Sequence, residues 1–133
     1  MTHWAEHLQA HDIQPTLQRL AVAECVLGSE SHPSAEEVLT RVRRKHPTIS
    51  RATVYNTLNL FVEKGLLRAQ NLRDDSMVFD PRTDAHHHFI DEETGRIYDV
   101  PWESLRVTGE RALYGFEVHE YQVILRGRRR RGN

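Results

Sequence analysis

Three consecutive histidines, His86-His87-His88, stand between two aspartates, Asp80 and Asp99. Residues two apart in an extended segment point to the same side. His86 and His88 are therefore expected to share one face, with His87 on the other. Two imidazoles with carboxylates on either side suit Fe(II), Mn(II) or Zn(II). His32, earlier in the chain, is a candidate for one more ligand. An ion that also took His32 would tie the two halves of the chain together. The competing reading is a solvated histidine loop that binds metal only casually. Cys25 is the only cysteine. That excludes an intramolecular disulfide and any multi-cysteine zinc or iron–sulfur site. Cys25 falls in an apolar helix and reads as core.

A second set of residues suits nucleic acid. Arg51, Thr53, Tyr55, Asn56 and Asn59 fall on the outward side of an expected helix. Asn can bond adenine bidentately, Tyr and Thr can touch phosphate or a thymine methyl, and Arg can take phosphate or guanine. Arg19, early in the second expected helix, and Arg68 and Arg73, on an expected hairpin, are candidates for phosphate. The competing reading is an ordinary solvated helix face. Net charge is −1, so the total announces no nucleic-acid partner. The distribution does: residues 38–62 hold five basic residues and no acid. Residues 121–133 hold five arginines and no acid, and the run Arg128 to Arg131 reads as a solvated tail.

These residues need elements to position them. A short helix is expected from Thr2 to about Ala10, and a second opens at Pro15-Thr16 and ends at Gly28-Ser29. Ser34 with Glu37 forms a capping box for a third, along which Ala35, Val38, Leu39 and Val42 share a face. Ser50 caps a fourth, whose stripe is Val54, Leu58, Phe61 and Val62 and which Gly65 closes. Two strand-like runs follow around the turn Arg73-Asp74-Asp75-Ser76. Helices and then a hairpin make a winged helix-turn-helix.

Beyond Asp80 the pattern turns to strands. A strand is expected over Arg96 to Val100, a short helix over Pro101 to Leu113, and one or two strands over Phe116 to Leu125. The expected class is α+β: a winged-helix domain over residues 1–80, a hinge over 81–85, and a small α/β domain over 86–133. About fifty residues are too few for a comfortable core, so the second half calls for a partner, most simply a second copy. With 133 residues, 38% hydrophobic and 28% charged, the chain has room for one ordinary domain or two small ones, which argues against a single large enzyme core. No run of eighteen apolar residues spans a membrane, and no apolar signal core opens the chain, so a cytoplasmic protein is expected. His3, His7, His11 and His46 read as surface residues, and Trp4 and Trp102 as packing residues. His119 and Glu120 read as polar strand positions, the alternative being a second metal site with His87. No Gly-rich phosphate loop, Ser-His-Asp spacing or HExxH helix is present. A small non-haem metalloenzyme is the alternative from another class.

Ser50-Arg51-Ala52-Thr53-Val54-Tyr55-Asn56 resembles the S-x-A-T-V-Y segment of the ferric uptake regulator (Fur) family. Pro15 to Arg19 resembles its T-x-Q-R motif, and His32-Pro33-Ser34-Ala35-Glu36 the segment before its third helix. Phe79-Asp80, His86-His87-His88 and Gly95 to Asp99 follow in the family's order. The resemblance covers about residues 10 to 127 and is nearest to the peroxide-stress regulators, the PerR type. It implies regulatory metal ligands His32, Asp80, His86, His88 and Asp99, occupied by Fe(II) or Mn(II), with Zn(II) an in vitro substitute. It implies a homodimer that binds an inverted-repeat double-stranded DNA operator when metallated. It also implies that bound Fe(II) and peroxide oxidise His32 or His86, which relieves repression.

The chain departs from the family at three places. Most members hold a structural zinc with CxxC pairs. Asp91 and Thr94 occupy the first pair here and no second pair exists, so no structural four-cysteine zinc is expected. The segment from Asp99 to Phe116 is short, which argues against the family's additional metal site there. His87 stands where Asp or Tyr is common. The haem-responsive Irr regulators, which also lack CxxC pairs and carry histidine runs, are the nearest competing reading.

Overall fold

The computed structural model describes residues 3–29, 31–73, 76–109 and 113–130, without the side chain of Arg73. The expected helix start at Thr2, the turn residues Asp74 and Asp75, the phosphate role of the Arg73 side chain and the tail residue Arg131 lie outside the described residues. The chain divides into two compact units, Met1–Thr83 and Asp84–Asn133. The class is α+β.

In the first unit the order is α1 (His3–Ala10), α2 (Leu17–Leu27), α3 (Ala35–Val42), α4 (Arg51–Glu63), β1 (Arg68–Arg73) and β2 (Ser76–Asp80). Each of the last three helices starts at a hydroxyl that accepts a backbone N–H: Thr16 from Arg19, Ser34 from Glu37 and Ser50 from Thr53. Such a cap is worth about 1 kcal/mol. At Ser34 the capping box is complete, because Glu37 accepts the Ser34 N–H in return. Gly65, at φ +83°, lets the chain leave α4 in a left-handed turn, with Leu66 N–H bonded to the Phe61 carbonyl. Leu8, Val22, Val26, Val38, Val54, Leu58 and Phe61 are buried in one core, each contributing about 1.5–3 kcal/mol. β1 and β2 pair antiparallel, with Arg68 opposite Asp80. Three packed helices followed by this hairpin make the winged helix.

The second unit is a three-stranded sheet: β3 (His86–Asp91) lies between β4 (Ile97–Pro101), antiparallel, and β5 (Ile124–Gly127), parallel. Asp91 builds the β3–β4 turn: its carboxylate accepts Glu93 N–H at 2.9 Å and its carbonyl accepts Gly95 N–H at 2.7 Å. Two expectations fail in this unit. Among the described residues of the helix expected over Pro101 to Leu113, only Trp102–Ser104 is helical, a 3₁₀ turn with no side-chain cap at Pro101 and extended backbone already at Leu105; residues 110–112 lie outside the described residues. Of Phe116 to Leu125 only Ile124 and Leu125 enter a strand, β5, which runs on to Gly127. Strand propensity needs a neighbouring ladder, and β5 finds its partner only along residues 88–91 of β3. Ile90 and Ile97 are the only buried hydrophobic residues among the described residues of this unit, while Tyr114 and Phe116 are strongly exposed. The basic tail is less free than expected: Arg128 pairs with Glu93 at 3.7 Å, and Arg129 lies over the Tyr98 ring. No helix among the described residues is long and apolar enough to cross a membrane.

Candidate functional site

The first unit brings His32 to Asp80. The segment before α3 is stitched to β2, with Phe79 N–H bonded to the Pro33 carbonyl at 2.9 Å and Ser34 bridged to Val78. His32 takes the left-handed conformation, φ 50°, which is uncommon for a residue with a side chain. The result is His32 Nε2 at 3.3 Å from Asp80 Oδ2, both side chains buried. The other Asp80 oxygen accepts the Arg82 N–H at 2.9 Å, which fixes the carboxylate.

The second unit brings His86 and His88 to Asp99. His88 is directly opposite Asp99 in the β3–β4 register. His86 Nε2 and His88 Nε2 stand 3.3 Å and 3.5 Å from the same oxygen, Asp99 Oδ1. Their rings meet edge to face at 4.6 Å. Each histidine has its other nitrogen occupied: His86 Nδ1 lies 2.7 Å from the Asp84 carbonyl, and His88 Nδ1 lies 3.0 Å from Gln122 Oε1. Carbonyl oxygens only accept, so both rings carry a proton on Nδ1, and Nε2 is the nitrogen left to take a metal. That is the arrangement usual for a metal-ligating histidine. Within each unit the donors are imidazole nitrogen and carboxylate oxygen, ligand types that suit Fe(II), Mn(II) or Zn(II).

His87 points away from this cluster. It stacks on Trp102, 4.6 Å between centroids and 15° between planes, and its Nδ1 accepts the Val123 N–H at 2.9 Å. His119 and Glu120 are exposed in an irregular segment, where they line a hollow of about 480 Å³ with Trp102, Phe116 and Tyr121.

The nucleic-acid candidates sit on α4 and beside it. Val54, Leu58 and Phe61 face the core, while Arg51, Ala52, Tyr55, Asn56 and Asn59 are exposed. Thr57 is also buried, its hydroxyl donating to the Thr53 carbonyl at 2.7 Å. Asn56 and Thr53 share a shallow cleft of about 280 Å³ with Thr16 and Arg19 of the α2 start. Arg19 is held there by the Gln14 carbonyl at 3.0 Å. Thr53 Oγ1 accepts the Ser50 hydroxyl at 2.8 Å, so its methyl and not its oxygen is the freer group. Arg68 is half-buried.

Four participants escaped the sequence reading. Glu36 bonds both Arg51 and Tyr55. Asp84 and Gln122 orient His86 and His88. The Val123 amide holds His87. Only Glu36 left a sequence signal, being an acid just upstream of a long acid-free basic stretch. The other three act through backbone groups or across long separations. His7 and His11, read as partnerless surface residues, in fact meet at 4.9 Å through i,i+4 spacing. Burial first, and then the neighbouring His11 and His3, push His7 below its ordinary pKa. Cys25 is half-buried against the core, and burial pushes its thiol up.

Comparison with known proteins closes the case for the family. The model of the ferric uptake regulator family matches residues 6–126. The chain is 34% identical over 124 residues to the peroxide operon regulator of Bacillus subtilis (strain 168), covering 92% of this chain and 86% of that relative. It is 35% identical over 122 residues to the peroxide-responsive repressor PerR of Staphylococcus aureus (strain Mu50 / ATCC 700699), covering 90% and 82%. The solved structure of a zinc-bound manganese uptake regulator superposes with a TM-score of 0.70 at 27% identity, covering 93% of this chain and 96% of that one. The chain therefore belongs to the ferric uptake regulator family, and it is a regulator rather than an enzyme.

Proposed function

We propose that this protein is a metal-dependent DNA-binding repressor that releases its operator when hydrogen peroxide oxidises a histidine of its iron site. The observation that carries the reading is the aim of His86 and His88. Both present Nε2 toward Asp99, and both have Nδ1 held by an oxygen acceptor. The relatives named for peroxide response support the choice of signal.

The proposed ligands are His32 and Asp80 from the first unit and His86, His88 and Asp99 from the second. One ion taking all five would couple the winged helix to the sheet, so metal would bias a two-state arrangement that DNA reads. Fe(II) is the proposed physiological ion, Mn(II) a redox-quiet substitute and Zn(II) an in vitro one. Bound Fe(II) would supply the reduction of peroxide that oxidises a neighbouring imidazole, His32 or His86. The residues do the rest: Asp84 and Gln122 hold two rings in place, and the left-handed His32 backbone holds the third. With no CxxC pair, no four-cysteine zinc braces the second unit. A homodimer that covers exposed Tyr114, Phe116 and Val118 would supply the missing core. The DNA partner is an inverted-repeat operator read by Asn56, Thr53, Tyr55 and Arg51 of each α4, with Arg19 on phosphate. Such a repressor works in the cytoplasm.

The test is DNA binding by the full chain under anaerobic conditions. Fe(II)- or Mn(II)-loaded protein should bind duplex fragments selected from a genomic pool, chelated protein should not, and peroxide should release only the Fe(II) form. His88→Ala should lose the metal response while its far-UV circular dichroism stays that of the parent. A normal metal response in His88→Ala contradicts the site. Release by haem but not by peroxide contradicts the signal.

A further inference from the structure

Glu36 is the second residue of α3, and Arg51 and Tyr55 lie one turn apart at the start of α4. One oxygen, Glu36 Oε2, accepts the Tyr55 hydroxyl at 2.5 Å and a hydrogen bond from the Arg51 guanidinium. The group is on the surface: the Arg51 and Glu36 side chains are 57% and 56% exposed. Exposed pairs of this kind add little to stability, and the capping box of α3 is made by Ser34 and Glu37. Glu36 is therefore not needed to build the helix that carries it.

The carboxylate does something else. It places an oxygen anion on a charged donor, Arg51, and on the Tyr55 hydroxyl, both on the solvent face of α4. A DNA phosphate offers the same charge and the same acceptor geometry to Arg and Tyr.

We propose that the Glu36 carboxylate occupies the position on Arg51 and Tyr55 where a DNA phosphate binds, so that DNA must displace it. This rests on α4 being the DNA-reading helix. Sequence-independent affinity comes from phosphates neutralised by free cations. An Arg51 already neutralised from within gives less of it. Cognate DNA, which also engages Asn56, has further contacts to offset the displacement; random DNA has none. Glu36 thus lowers background binding and sharpens discrimination, a device built against the wrong partner.

The experiment uses the full chain loaded with Mn(II) and fluorescence anisotropy across a salt series. The probes are a mixed-sequence duplex and a duplex selected from genomic fragments. Glu36→Gln should bind the mixed-sequence duplex about two- to fivefold more tightly. Its plot of log affinity against log salt should steepen by about one unit. Both gains should vanish in the Arg51→Ala, Tyr55→Phe background. Unchanged or weaker binding by Glu36→Gln overturns the proposal. Asn56→Ala on the selected duplex separates the two claims. If Asn56→Ala loses affinity while Glu36→Gln changes nothing, the Glu36 inference alone falls. If Asn56→Ala binds like the parent, the reading of α4 falls and takes the inference with it.

Discussion

His88 Nδ1 lies 3.0 Å from Gln122 Oε1, a bond between residues thirty-four positions apart. It fixes which nitrogen of His88 carries the proton and which way the ring faces. Loss of such an orienting partner typically weakens metal binding about 10- to 100-fold. Gln122→Leu should therefore lower Mn(II) affinity on that scale, read by calorimetric titration, with the fold retained. Parent-like affinity would show that His88 needs no such support to bind metal.

The Glu36 carboxyl is held below the ordinary glutamate range, first by the Arg51 hydrogen bond and then by that of Tyr55, with Arg43 a weaker contributor. A depressed carboxyl stabilises the fold fully above its unfolded pKa, and that contribution fades as pH falls through the folded value. A carbon-detected NMR titration of Glu36 should give a midpoint below that of an ordinary glutamate. The midpoint should rise toward the ordinary value in Arg51→Ala. An ordinary midpoint in the parent would mean that the contact is not kept in solution.

Ser34 caps α3 and its backbone bridges β2, so one residue serves both the helix and the loop that carries His32. Ser34→Ala should cost about 1 kcal/mol in urea denaturation of the metal-free protein. A loss below a few tenths would mean that water replaces the cap without penalty.

Cys25 separates two ways of sensing peroxide. Burial raises its thiol pKa, while Arg41 and Arg44 nearby pull it down less strongly. A protonated thiol is a poor nucleophile. Iodoacetamide should therefore modify Cys25 more slowly at neutral pH than it modifies a free cysteine, with the rate rising only above the usual thiol range. Cys25→Ser should keep peroxide release of DNA. Loss of that release would move the sensor from histidine to sulfur.

Much of the first unit was legible because its signals are local. Thr16, Ser34 and Ser50 each cap within three residues, and Val54, Leu58 and Phe61 repeat at helical spacing. The alternation of His86 and His88 follows from strand geometry alone, and their meeting with Asp99 needs only a short hairpin. The second unit was harder. Val118 and Tyr121 have strand-forming types but join no ladder; the chain meets β3 only from Val123, whose carbonyl accepts the His88 N–H, through residues 124–127. Gln122 was invisible because it acts across a fold contact that no spacing announces, and Glu36 showed only as an acid just upstream of a basic stretch, with nothing to name Arg51 and Tyr55 as its partners. His32 could be named only as a candidate ligand, which the family resemblance reinforced, because its distance from β2 in sequence hides its place beside Asp80.

The most direct test of the central claim is peptide mass mapping after anaerobic Fe(II) loading and a brief, low dose of peroxide. A gain of one oxygen on His32 or His86, absent when Mn(II) or Zn(II) replaces iron, is the predicted result. Intact metal and DNA binding with no oxidised histidine would contradict peroxide sensing.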